Sequence, residues 1–319
     1  MRPLDGGDAG AMAHETQVRW LSFVLLAATL FAGGCSRAPE HAPSTKPSGL
    51  TAETATSIYE RAGRTFDSIQ LNRPQSDQEL PFDVYLAPMI VQELRPDATA
   101  ASAIGALALA ESGHAEVRAE SPVVYYARSH ASIGGEQRDQ LAFLWWYPGA
   151  PLGGSSAQGV RITLGKTGVP ILWEVLSDPS GARLVFVSET LEELARQHSG
   201  APLPGRRFSV ERSLDEAPRT VVARAISNGG VPLGPFVYLE AGTRAARTLL
   251  CRCSPSEFTD LAGELLFELR SLDSLAELGL EKREWTPELP VLAGSPLPPA
   301  PDDADSRWLE LNLRLPPGL

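Results

Sequence analysis

The chain has 319 residues, of which 43% are hydrophobic, and its 39 acids against 28 Lys and Arg set a net charge of −11. An acidic chain lacks the basic footprint that grips a phosphate backbone, so nucleic acid is excluded as a partner. The apolar content suffices for a packed core, and a total of three cysteines excludes a fold held by several disulfides.

Arg2 and Arg19 place positive charge before an apolar run of 13 residues, Trp20 to Ala32. A spanning helix needs about 20 apolar residues and the h-region of a signal peptide about 7–15, so the run reads as a signal peptide. Translation starts at Met1 or at Met12, which would give a shorter n-region. Leu30-Phe31-Ala32-Gly33-Gly34-Cys35-Ser36 ends the run with small residues before a cysteine. This stretch resembles the lipobox of bacterial lipoproteins, with Ala32 standing where leucine is commoner. The resemblance covers residues 1–36 and implies cleavage before Cys35 and lipidation of Cys35. Several acyl chains together hold a protein firmly to a membrane. It further implies a cell-envelope address. Ser36, where that family carries aspartate for inner-membrane retention, points to the periplasmic side of the outer membrane.

Residues 35–50 hold Pro39, Pro43 and Pro47 among small and polar residues and read as an extended tether. In the N-terminal segment, 51–121, Ala55, Ile58, Tyr59, Ala62, Phe66 and Ile69 recur at helical spacing, with Asn72-Arg73-Pro74 as the stop. Tyr85–Leu94 is a short apolar segment broken by Pro88, and Ala98–Glu111 is alanine-rich and helical in character, weakened by Gly105.

From 122 to 285 an α+β core is expected. Val123–Arg128 and Leu141–Tyr147 flank Gly134-Gly135 as one hairpin, and Val160–Leu164 and Ile171–Val175 flank Gly165-Lys166-Thr167-Gly168 as another. A turn at Asp178-Pro179-Ser180-Gly181 leads to a strand, Leu184–Val187. A helix follows over Glu189–His198, with Thr190 and Glu193 as a capping box and Gly200 as its stop. Thr220–Ile226, Pro235–Leu239 and Thr248–Cys253 read as strands, and Pro255–Arg270 as a second amphipathic helix capped by Ser254. The two blocks suggest a duplicated βββα unit. The expected fold class is therefore α+β, an antiparallel sheet of hairpins with amphipathic helices on one face. The tail, 286–319, is rich in proline and ends in alternating leucines at Leu309, Leu311, Leu313 and Leu315, an edge strand by period.

Few residue groups carry chemistry. Cys251-Arg252-Cys253 precedes the expected helix, where dipole and arginine favour a thiolate. The pair suits thiol redox or a soft metal such as copper, and equally suits two small buried residues. His41, His114, His130 and His198 show no paired spacing for zinc. His130, beside Ser129 and Ser132, lacks a visible acid and reads as a surface histidine. Gly165-Lys166-Thr167 fits a turn better than a phosphate loop, since Val160 stands where such a loop needs glycine. Gly153-Gly154-Ser155-Ser156 lacks the frame of a nucleophile elbow and reads as a loop with serines free to bind. Trp145-Trp146-Tyr147 reads as core, and Glu189, Glu192 and Glu193 as a solvated first turn.

The resulting expectation is a membrane-tethered envelope lipoprotein acting as a binding or assembly module. Its partners would be the membrane, through the N-terminal lipid, and an envelope protein or the cell wall; no cofactor is implied. The alternatives are a thiol-redox or copper-handling protein using Cys251 and Cys253, and a hydrolase whose residues come together only in the fold. The balance leans away from an enzyme.

Overall fold

Thr51 starts the first helix, its hydroxyl accepting the backbone N–H of Thr54 at 3.2 Å. Helix α1 runs Ala52–Arg61 and buries Ala55 and Ile58. The helical spacing read through to Ile69 stops being helical there. Phe66–Pro74 is strand β1, because both its edges find strands to pair with and tertiary pairing overrides the local pattern. This computed structural model describes residues 51–75, 85–95, 103–111, 115–148, 157–227, 233–252, 257–277 and 307–319. All belong to one unit, Pro47–Leu319.

The remaining elements follow in order. Strands β2 (Met89–Glu93), β3 (Ala106–Leu109) and β4 (Ala115–Arg118) precede β5 (Val123–Ile133) and β6 (Glu136–Trp146). Then come β7 (Ala157–Leu164), β8 (Pro170–Leu176), β9 (Arg183–Ser188) and helix α2 (Glu189–Ser199). Strands β10 (Thr220–Ile226), β11 (Pro235–Leu239), β12 (Ala246–Cys251) and β13 (Phe258–Ser271) follow, with short helices α3 (Ser274–Glu277) and α4 (Trp308–Asn312).

Eleven strands form one sheet in the order β10-β9-β8-β7-β6-β5-β13-β1-β2-β11-β12, nearly closed into a barrel, and β3-β4 form a separate pair. The β5–β9 meander is antiparallel, built from the hairpins read in the sequence. Gly134 and Gly135, at φ +62° and +79°, make the two-residue turn that joins β5 to β6. The pairs β9·β10, β5·β13, β1·β13 and β2·β11 are parallel.

This corrects the expected fold class. The sheet is mixed and barrel-like rather than an antiparallel sheet with helices on one face. The expected helix Pro255–Arg270 is instead β13, inserted between β5 and β1, so the duplicated βββα unit does not exist. The tail expected as an edge strand forms α4, leaving a single bridge between Leu313 and Glu211. Gly105, taken as a flaw in a helix, pairs with Trp146 beside β3, where a Cβ would stand 2.5 Å from the Arg118 carbonyl oxygen. Only glycine allows that approach.

The core explains the long apolar runs. One face of the meander points Phe143, Trp145, Ile162, Trp173 and Phe186 into the barrel, where Ala55, Ile58 and Ala62 join them. The opposite face is covered twice. The β3–β4 pair and α3 lie over Ala142, Leu144, Trp146 and Leu176, while α2 and the C-terminal segment lie over Leu172, Val185, Val187 and Val222. Strands buried on both faces read as continuous hydrophobic sequence, as Leu141–Trp146 of β6 does.

Candidate functional site

A buried polar arrangement lies where β6 ends and β7 begins. Tyr147 is 1% exposed. Its hydroxyl accepts the indole N–H of Trp145 at 2.9 Å and donates to Oε1 of Gln158 at 3.0 Å. Gln158 Nε2 then donates to the Arg244 carbonyl at 2.8 Å. The Arg244 guanidinium stacks on the Tyr147 ring, 4.1 Å from its centroid. Burial pushes the Tyr147 phenol up to about 12, so it stays protonated at neutral pH and serves as a fixed donor.

This relay forms one wall of a cavity of about 160 Å³, completed by Ala157, Ser177, Pro179, Gly242 and Thr243. Ser177 and Arg244, at φ +62° and +59°, are the two non-glycine residues in the left-handed region among the described residues. Both line this cavity. A left-handed non-glycine residue costs about 1–2 kcal/mol, and such strain concentrates at sites that bind or react. Asp178 locks the Ser177 turn from below: its Oδ1 accepts the Ser180 amide at 2.9 Å and its Oδ2 the Ala246 amide at 2.8 Å. The Gly153-Gly154-Ser155-Ser156 stretch lies outside the described residues.

Sequence reading identified Trp145-Trp146-Tyr147 as core, and all three are buried. It missed the site these residues help to build. Gln158 lies in β7 and Arg244 in a loop, neither with a chemical signal in the sequence, and the Asp178 turn was legible without the left-handed Ser177 that precedes it.

The residues singled out from sequence lie elsewhere. Cys35, Cys253, His41 and His114 fall outside the described residues. Cys251 ends β12, is 5% exposed in the main core cluster, and is disulfide-bonded to a partner outside the described residues. The Arg252 guanidinium donates to the Ala87 carbonyl, and burial pulls its pKa down to about 10. Among the described residues no group of three or more His, Cys, Asp or Glu could hold a metal.

His130 does have an acid partner: Asp139, opposite it across the β5–β6 hairpin, lies 3.0 Å from Nδ1, with both side chains well exposed. His198 is exposed in the last turn of α2, at a cavity of about 460 Å³ that also touches Arg212, Glu310 and Arg314. Among the described residues neither histidine meets a hydroxyl that it could activate as a nucleophile. Gly165-Lys166-Thr167 is the β7–β8 turn, with Lys166 paired to Glu136 at 3.1 Å. Glu192 is not solvated. It accepts the backbone amides of Ser209 at 2.7 Å and Val210 at 3.2 Å, tying a loop to α2. The cap of α2 is Ser188, two residues before the expected Thr190.

No family model, no curated protein and no solved structure matches the chain.

Proposed function

We propose that this chain is a cell-envelope lipoprotein, tethered to a membrane through lipid on Cys35, whose barrel-like domain is a non-catalytic binding module with its ligand seat at the Tyr147 cavity. The tether reading rests on the lipobox-like stretch before Cys35. The observation that carries the binding site is the convergence of two left-handed residues, Ser177 and Arg244, on one cavity backed by a buried hydrogen-bonded relay. A fold tolerates such strain where the surrounding contacts over-determine it, and a preformed polar wall is what a small ligand needs.

The ligand class follows from the lining. The Arg244 guanidinium and the Ser177 hydroxyl, both on the lining, favour a small polar molecule carrying a carboxylate or phosphate.

The test is heteronuclear NMR of the full chain titrated with acetate, succinate and inorganic phosphate as probes. Shifts should concentrate at Tyr147, Gln158, Ser177 and Arg244. Arg244→Ala should weaken binding at least tenfold while leaving the melting transition cooperative. Shifts spread evenly over the surface, or binding unchanged by Arg244→Ala, would refute the assignment.

A further inference from the structure

A cavity of about 460 Å³ lies between the β5–β6 turn, the end of α2 and the C-terminal segment. Its volume is within the range of about 300–1,000 Å³ usual for small-molecule sites. The segment is pinned by its backbone: the Arg314 amide donates to the Val210 carbonyl at 2.7 Å, and Leu313 bridges to Glu211. Part of the lining is apolar. Ile133 and Leu313 are buried in the cluster that α2 covers, and Leu315 packs against it.

The polar part of the lining is mainly cationic. Arg212 and Arg314 each spend one nitrogen on a backbone carbonyl: Arg212 Nη2 donates to that of Glu310 at 2.8 Å, and Arg314 Nη2 to that of Ser199. A carbonyl carries no net charge, so both guanidiniums keep theirs. Arg212 Nε and Arg314 Nη1 are buried without a hydrogen-bond partner. Among the described residues neither guanidinium pairs with a carboxylate. Glu310, the one acid of the lining, is already engaged. It accepts the Gly134 amide at 2.5 Å and pairs with Arg307 at 3.6 Å. His198, in the last turn of α2, adds a ring N–H donor at the same cavity.

We infer that this cavity binds a small organic anion with an apolar body, its carboxylate or phosphate head paired with Arg212 and Arg314 and its body against Ile133, Leu313 and Leu315. Two partly buried cations without a counter-ion are unfavourable, and an anionic head relieves both. Guanidinium N–H groups match the oxygens of a carboxylate or phosphate. The body follows from the apolar lining, because each methylene removed from water there adds to binding. That requirement separates this site from the Tyr147 cavity, on which the inference does not depend. An anion without a body, such as acetate, meets the charges alone and should bind here weakly.

The probe is octanoate, titrated into the full chain carrying Cys35→Ser and followed by calorimetry and residue-resolved NMR. Amide shifts should concentrate at Ile133, His198, Leu313 and Leu315. Octanoate should bind at least tenfold more tightly than acetate or octylamine. Octyl phosphate, run in parallel, distinguishes the heads, and the tighter of the two names the one preferred. Arg212→Gln combined with Arg314→Gln should weaken octanoate binding at least tenfold. If that variant misfolds, His198→Glu at its exposed position supplies a competing carboxylate and should weaken binding by a similar factor. Arg244→Ala, at the other cavity, should leave octanoate binding unchanged. Octylamine or acetate binding as tightly as octanoate overturns the inference, as do shifts that avoid this cavity or an affinity unmoved by the folded variant. Loss of octanoate binding in Arg244→Ala overturns it too, while leaving the Tyr147 seat in place.

Discussion

Glu174 has no exposed surface, and two guanidiniums flank it. Arg161 binds it through two hydrogen bonds, at 2.7 and 2.8 Å, and Arg183 approaches to 3.3 Å while stacking on Trp308. Burial pushes the Glu174 carboxyl up, but the two arginines outweigh it and hold the group below the ordinary carboxylate range. A depressed folded pKa contributes stability above the unfolded value, about 4.3, and that contribution is lost as pH falls through the folded pKa. Glu174→Ala should therefore cost about 3–5 kcal/mol near neutral pH by stranding buried cations. In urea melts the gap between wild type and variant should narrow on acidification; a gap that widens contradicts the assignment.

Glu211 has the opposite sign. Burial raises its pKa despite the amides of Val222, Phe208 and Arg207 and the charge of Arg206. Its favourable contribution is present at acid pH and is lost as pH rises through the folded value. Strain supplies a second prediction at this scale. Ser177→Gly relieves about 1–2 kcal/mol of left-handed cost and adds about 0.5–1 kcal/mol of unfolded-state entropy. The net gain should be up to about 1.5 kcal/mol by urea unfolding, accompanied by weaker probe binding at the Tyr147 cavity. A loss of stability would mean that Ser177 is not strained.

The hairpins were legible because their local and tertiary signals agree. Gly134-Gly135 can turn in two residues, and strands β5 to β9 are β-branched and aromatic on both sides of their turns. Strand β13 was not legible. Phe258, Leu261, Leu265, Leu266 and Leu269 have helical spacing, and Ser254-Pro255 resembles a helix start, yet the segment is a strand. The deciding factor lies far away in sequence: β1 and β5 both offer edges, and a parallel partner close to 200 residues distant leaves no local trace. The candidate site was illegible for a related reason, since Tyr147, Ser177 and Arg244 come from three separate loops. Only the buried character of Tyr147 could be read beforehand. The close approach at Gly105 gives a direct test at the scale of elements. Gly105→Ala places a methyl group against the Arg118 carbonyl and should cost about 1–3 kcal/mol. Full stability in that variant would show that β3 and β4 do not pack as described.

The whole sheet comes close to closing. Its end strands, β10 and β12, lie side by side, and α1 rests against both. Arg224 on β10 clasps this seam, donating from Nη1 to the Ala62 carbonyl at 3.4 Å, to Thr248 Oγ1 at 3.4 Å and to Glu257 Oε1 at 2.9 Å. Near-closure leaves few strand edges of the large sheet exposed. Among the described residues no helix is long and apolar enough to cross a membrane. The proposed membrane attachment rests on the lipobox-like stretch before Cys35. The decisive measurement is metabolic labelling of the full-length precursor with an alkyne fatty acid, followed by membrane fractionation. Label should enter the wild-type chain and be absent from Cys35→Ser, with the labelled form sedimenting with membranes. An unlabelled wild-type chain recovered entirely in the soluble fraction would contradict the tether, and with it the cell-envelope role.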